Sequence, residues 1–266
     1  MSHAHPLKPF LFAATLAGLT ILTGCEKSTD IAQQKDNANA QPNISVSEKK
    51  ANFFAYLQPM IKQANAEVIQ QRQQLLALLT HTESLSQSEL DSLAALSKTY
   101  RVDTKLTPAD QIQQLKTKIN IIPAALILAQ AANESAWGTS RFAREGNNFF
   151  GQWCFSKGCG IVPNSRNSGA NHEVASFDSP LGSVKSYIRN LNSHPAYQLL
   201  RTLRQQSLND GQVVSGEILA QGLIGYSERG EEYVKEIQSM IRFNKLSRFD
   251  ASTVEVNAAS TTTGKG

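Results

Sequence analysis

Between residues 49 and 100 the large apolar side chains return every three or four positions. Phe53, Phe54, Leu57, Met60 and Ile61 come first, then Val68, Leu75, Leu76, Leu78 and Leu79, then Leu85, Leu90, Leu93 and Leu96. That period predicts amphipathic helices, and Ser86 with Glu89 has the spacing of a capping box at the start of the last one. Gln70, Gln71, Gln73 and Gln74 read as a solvated helix face. Thr107-Pro108 opens another helix, which carries Ile112 and Leu115 to about residue 118. From Pro123 to Ser135 the pattern changes to apolar on nearly every side. Such a helix belongs at the centre of a fold, with alanines that let its neighbours approach and Gly138 as its stop. Gly, Asn, Ser and Cys dominate from residue 142 to 177, where the extended pieces 151–155 and 172–177 predict a loop-rich lobe with a hairpin. Helices return at 181–191, 196–203, 216–223 and 231–244. The expected class is mainly α, with a small β element.

Both ends depart from this pattern. Phe10 to Leu22 is an unbroken run of apolar or small residues behind Lys8, the plan of an export signal. As a helix it would reach roughly 20 Å, short of the about 30 Å of a bilayer core, so cleavage is expected rather than a span. Leu22-Thr23-Gly24-Cys25 resembles a bacterial lipobox, which would make Cys25 lipidated and the first residue of the mature protein. An ordinary secretory peptide with an incidental Cys is the alternative. Glu26 stands where an inner-membrane retention signal usually has Asp, which favours an outer-membrane anchor facing the periplasm. Residues 25–48 are expected to be a polar tether with a reach of roughly 25 Å, and residues 251–266 a loose Ser/Thr/Ala tail.

Composition narrows the classes. A chain of 266 residues with 41% hydrophobic side chains can bury a core, which excludes wholesale disorder. A net charge of +4 is small for a binder of polyanions, so nucleic acid is not an expected partner, and a monomer is the simplest state. Beyond Cys25 only Cys154 and Cys159 remain. Export makes a disulfide between them plausible, worth about 2 kcal/mol for so short a loop. Zinc would need two further ligands, and His81, His172 and His194 have no HxxxH spacing, so neither metal nor cofactor is expected. The chain has no HExxH or GxSxG, and its SxxK spacing, Ser47 to Lys50, falls at the edge of the tether.

Glu134 is the residue out of place. It ends the most apolar helix, and no Lys or Arg occurs from Ile119 through Thr139. A carboxylate there needs a partner or a raised pKa, and a protonated carboxyl is what glycoside hydrolysis requires of its general acid. The alternatives are that Glu134 reaches solvent at the helix end or pairs with Arg141 or Arg144.

Three blocks around this residue carry a resemblance: Ala129-Gln-Ala-Ala-Asn-Glu-Ser-Ala-Trp-Gly138, Gly146-Asn-Asn-Phe-Phe-Gly-Gln-Trp153 and Gly225-Tyr-Ser-Glu-Arg-Gly-Glu-Glu-Tyr-Val-Lys-Glu-Ile237. Together they resemble the bacterial glucosaminidases of glycoside hydrolase family 73, and the segment with Cys154 and Cys159 is most similar to the Bax-type branch, unrelated to the apoptosis protein of that name. The resemblance spans about residues 106–245. It implies a lysozyme-like helical domain over 106–250, an endo-β-N-acetylglucosaminidase activity and the glycan strands of peptidoglycan as substrate. It implies Glu134 as catalytic acid and Tyr226 as the aromatic facing it across the cleft. Asn148, Phe150 and Gly151 would form the loop beneath the acid helix. Gln130, Ser135, Gln152 and Tyr233 lie in the same blocks and are expected at the substrate site, while Trp137 and Trp153 could stack on sugar rings, with a core role equally open to Trp137.

The family's second acid, proposed in a Thr-Glu-Tyr strand, has no counterpart here. Gly160 to Arg166 stands in about that place, and Glu173 is the nearest strand-like carboxylate, with Glu145 the other local choice. Without a second acid the substrate's 2-acetamido group could serve as nucleophile. The competing expectations are a lytic transglycosylase using the same Glu134 and a wall-binding lipoprotein without catalysis. Residues 49–105 lie outside the resemblance and are expected as a separate helical region able to cover the cleft, in which case truncation before Leu106 would raise activity.

Overall fold

The computed structural model describes residues 44–250 apart from 165, 167, 168 and 170. The expected signal peptide 1–24, the Cys25 lipidation site, most of the tether and the tail 251–266 lie outside the described residues. The described residues cluster as one compact unit.

The first helix, α1, runs over Val46–Ala77. It begins inside the stretch expected to be tether, because Ser45 and Glu48 form a reciprocal capping box. Ser47 and Lys50, the SxxK pair, are thereby placed on a helix. The separate apolar runs of this region join into one helix of 32 residues that passes through Pro59. Pro59 is exposed, so the hydrogen bond its ring removes is lost where water reaches the backbone. The stripe Phe53, Phe54, Leu57, Ile61, Ala64, Val68 and Leu75 is buried, and α1 packs on three later helices. Two short 3₁₀ turns then lead to α2 (Gln87–Thr99), which starts with the expected Ser86–Glu89 box.

Helix α3 (Pro108–Lys118) is capped by Thr107 and precedes α4 (Ala124–Glu134). The turn between them is held from the far side of the fold. The buried Arg204 donates to the carbonyls of Thr117, Lys118, Asn120 and Ile121 and to Asn192 Oδ1. Every residue of α4 from Ala125 to Ala132 is buried, as its all-round apolar pattern predicts. Pro123 gives α4 no side-chain cap. Asp250 supplies one from the end of the described chain: Oδ1 accepts from Ala125 N at 2.8 Å and Oδ2 from Gly216 N at 3.1 Å.

The glycine-rich region holds one helix that periodicity did not predict, α5 (Arg141–Gly146), started by Ser140, which accepts from Ala143 N. Its extended pieces form a three-stranded antiparallel sheet, β1 (Trp153–Cys154), β2 (Gly160–Ile161) and β3 (Glu173–Ala175), in the order β1-β3-β2. The predicted pairing of 151–155 with 172–177 is the β1–β3 ladder, in which Trp153 faces Val174 and Cys154 faces Glu173. The β2 edge was not expected. It needs glycine, since a Cβ on Gly160 would sit 2.0 Å from the Val174 carbonyl oxygen. The chain continues with α6 (Pro180–Ser193), α7 (Gln198–Asn209), the short α8 (Gly216–Leu219) and α9 (Glu231–Phe243). The fold is mainly α with a small sheet, as expected of a lysozyme-like domain.

The region 49–105 differs from the separate unit expected of it. Phe53 and Phe54 meet the Trp137 ring edge-on at 5.8 and 5.4 Å, just beyond the end of α4, and Leu57 and Ile61 lie in the common core. Helix α1 is a wall of the domain, not a detachable cover.

Candidate active site

The end of α4 is stitched into a tight left-handed turn. Ala136, Trp137 and Gly138 have φ of 50°, 59° and 78°, a run that L-residues adopt only when surroundings over-determine it. Ser135 does much of that work. Its hydroxyl donates to Ala131 O at 2.6 Å and accepts from Gly138 N at 2.7 Å, while Ser140 N donates to Ser135 O at 2.9 Å. Ser135 is fully buried, so its expected place at the substrate is replaced by one inside the turn. Trp137 is likewise held in the structure, between Phe53, Phe54 and the Lys50 ammonium 4.8 Å from its ring.

This turn leaves the Glu134 side chain half-buried at the edge of the core. Among the described residues it makes no ion pair: Arg141 donates instead to the Val162 carbonyl. Burial pushes its carboxyl above the ordinary carboxylate range. Hydrogen bonds from Tyr233 and Asn133 oppose that rise, and the Glu236 charge adds to it. Tyr233 donates to Glu134 Oε1 at 2.7 Å. The other oxygen, Oε2, faces Gly151, where an added Cβ would come within 3.8 Å. Gly151 has φ +63°, so glycine here serves both the turn and the open space beside the acid.

Tyr226, expected to face the acid, is near enough to feel its charge but does not bond it: its hydroxyl donates to the Phe150 carbonyl at 2.8 Å and its ring stacks on Tyr233 at 5.4 Å. The phenol in contact with the acid is that of Tyr233, which stands seven residues on, two helical turns away in spacing. Nothing in a single sequence distinguishes these two tyrosines. Behind Tyr233 lies Gln130, whose Nε2 donates to the Tyr233 hydroxyl at 2.9 Å, and behind Gln130 lies Tyr187, whose hydroxyl donates to Gln130 Oε1. Gln130 is fully buried and touches the acid's partner, so it does not line an open subsite. Tyr187 was not singled out by the sequence, where it is one aromatic on an ordinary amphipathic helix.

The loop beneath α4 is shaped by Asn148. Its Nδ2 donates to the carbonyls of Gln152 and Ala175, and its Oδ1 accepts from the amides of Phe150 and Gln152. Phe150 is buried and stacks on Tyr187 at 4.0 Å. Gln152 donates to Ser183 O. Trp153 is the exposed member, 60% accessible, with one ring face covered by His172 at 4.4 Å.

Glu173, the candidate second carboxylate, is only 5% exposed. Its Oε1 accepts from Gly158 N at 3.0 Å and its Oε2 from Gly160 N at 2.9 Å. Those backbone donors hold its carboxyl below the usual range. Cys154 and Cys159, joined by a disulfide, close the same loop. With an N–H donor on each oxygen and its carboxyl held toward the charged form, Glu173 is fixed in the loop and poorly suited to giving a proton. The two sulfurs lie close to this carboxylate, but bonded sulfurs present no thiolate to a metal. Glu145 is exposed on α5.

With this geometry in place, the comparisons with known proteins are decisive. The family described as mannosyl-glycoprotein endo-beta-N-acetylglucosaminidase, the glucosaminidase domain, matches residues 109–246. The chain belongs to the glucosaminidase family. It is also 30% identical over 224 residues to Protein bax of Escherichia coli (strain K12), across 83% of this chain and 78% of that protein. A match of that length reaches well before residue 109, into helices that the family match omits and the core includes. No solved structure matches the chain. Membership makes the domain a glycoside hydrolase, and the half-buried Glu134 at the end of α4 lies within the matched residues.

Proposed function

We propose that this glycoside hydrolase is an exported peptidoglycan hydrolase, an endo-β-N-acetylglucosaminidase that cleaves β-1,4 bonds of the cell-wall glycan with Glu134 as general acid. The observation that carries the proposal is the state of Glu134: half-buried, without an ion pair among the described residues, bonded by Tyr233 at Oε1 and with Asn133 as its other side-chain donor, its Oε2 turned toward the side-chain-free Gly151. A carboxyl held above its ordinary range keeps a proton to hand to the leaving oxygen. Trp153, exposed two residues after Gly151, is the proposed platform for a sugar ring. Glu173 is committed to backbone donors, which favours a mechanism with one protein carboxyl, the 2-acetamido group of the substrate acting from the other face.

Purified Glu134→Gln should fold as the wild type and release muropeptides from peptidoglycan at least ~100-fold more slowly. Wild-type release by that variant would overturn the proposal. Mass spectrometry of the products separates the second reading that the single carboxyl also favours: reducing N-acetylglucosamine ends support hydrolysis, and 1,6-anhydro-muramic ends a lytic transglycosylase. Intact glycan with retained binding would support a wall-binding lipoprotein. The lipobox-like Leu22 to Cys25 supports a lipid anchor at Cys25, and Glu26, where a retention signal would have Asp, supports the outer membrane facing the periplasm. Cys25→Ala should move the protein from the membrane fraction to the soluble fraction.

A further inference from the structure

Tyr187 lies on α6, fully buried, with its ring stacked on Phe150 at an interplanar angle of 13°. Its hydroxyl makes one hydrogen bond among the described residues, to Gln130 Oε1. A buried hydroxyl hydrogen without an acceptor is costly. If the Gln130 amide turned round, its NH₂ would face Tyr187 and that hydrogen would have nowhere to go. Tyr187 therefore holds Gln130 with Oε1 toward itself and Nε2 toward Tyr233. Tyr233, accepting from Gln130, must then direct its single hydrogen to Glu134 Oε1. Three hydrogen bonds thus run in one direction and end on Oε1 of the acid, so the tyrosine chain leaves Oε2, on the Gly151 side, to carry a proton, with Asn133 the acid's other side-chain donor.

We propose that Tyr187 is a positioning residue for catalysis, acting through Gln130 and Tyr233 to select Oε2 of Glu134 as the oxygen that gives up the proton. The proposal rests on the reading of Glu134 as general acid. The titratable groups that face Glu134 are Tyr233, Tyr226 and Glu236 from the α9 side and Tyr187 from α6. Burial holds the three phenols protonated, so Glu236 is the charged one, and it is paired with Arg229 at 2.7 Å.

The test is Tyr187→Phe, which keeps the ring and its stack on Phe150 and removes the hydroxyl. Steady-state kinetics on purified peptidoglycan are measured from about pH 4 to 9 beside Glu134→Gln. The expected result is a kcat about 10-fold lower, the size of one lost hydrogen bond, with KM within about twofold. The basic limb of the kcat profile should move to higher pH. The freed amide turns, the Tyr233 bond that favours the carboxylate is made only part of the time, and the carboxyl keeps its proton longer. Gln130→Glu keeps an acceptor for the Tyr187 hydroxyl but replaces the donor to Tyr233 with a second acceptor that competes with Glu134 for the Tyr233 hydrogen; it should give the same two changes, which covers the case where Tyr187→Phe fails to fold. Wild-type kcat and pH profile in a folded Tyr187→Phe or Gln130→Glu, or a change in KM alone, would overturn the proposal. Activity in Glu134→Gln would instead overturn the reading beneath it.

Discussion

Two glutamates, Glu134 and Glu173, sit on the helical body and the small sheet of the same unit, and their surroundings act in opposite directions. Glu134 loses solvent at the end of an apolar helix, and its side-chain donors, Tyr233 and Asn133, do not offset that loss, so its carboxyl is pushed up. Glu173 is more enclosed by accessible surface, yet it receives a backbone N–H at each oxygen and is held down. Burial alone does not decide protonation. What decides it is the balance between lost solvent and the donors aimed at the charged form, and at Glu173 the backbone N–H groups outweigh the burial. The difference separates a group suited to giving a proton from one suited to tying a loop.

The most drastic way to break the comparison is to remove the wall behind Glu134. Truncation before Leu106 deletes Phe53, Phe54, Leu57 and Ile61, each of the size whose individual loss costs about 2–5 kcal/mol. The truncated chain should show no cooperative unfolding transition and no activity, where a detachable cover would have given an active, folded domain. Circular dichroism melts with a wall-clearing assay distinguish the two.

Next in size is the contrast in activity between the two acids. Glu134→Gln should lower muropeptide release at least ~100-fold, whereas Glu173→Gln should leave it near wild type once folded. Equal losses in the two variants, at equal thermal stability, would return Glu173 to the chemistry.

A smaller effect concerns the start of the acid helix. Asp250→Ala strips the donors at Ala125 and Gly216 of their acceptor and should cost about 1–2 kcal/mol in denaturant melts. A value near zero would mean that the end of the described chain does not anchor α4.

The subtlest test uses the opposite signs of the two shifts. The raised pKa of Glu134 penalises the fold as pH climbs from its unfolded value through its folded one, so Glu134→Gln should gain Tm relative to wild type over that rise. The lowered pKa of Glu173 gives stability that is present above its unfolded value and lost as pH falls through the folded one. Glu173→Gln should therefore be destabilised most near neutrality, with the gap closing in acid. Parallel slopes in the two variants would contradict the contrast.

The helical plan of this chain was legible in its sequence because periodicity reports directly which face of a helix is buried, as at α2 with its Ser86 box and at the all-round apolar α4. Glu134 stood out for the same reason, a charge at the end of a helix with no nearby cation. The Ser45–Glu48 box was equally present in the sequence, but it followed a polar stretch with no apolar run to mark it as a helix start. The placement of residues 49–105 in the common core was not legible, since an amphipathic stripe states that a face is covered without saying by what.

The sequence by itself determined the class of fold, the helix that carries the acid and the acid's need for a partner or a raised pKa, because these follow from local spacing and from the cost of burying charge. Only the tertiary structure decided which tyrosine bonds Glu134, that Gln130 and Tyr187 stand behind it, that Ser135 faces inward and that Glu173 holds a loop. Each of those facts depends on the direction of a hydrogen bond between residues tens of positions apart, and direction across a fold is set by how elements pack, which no local pattern encodes.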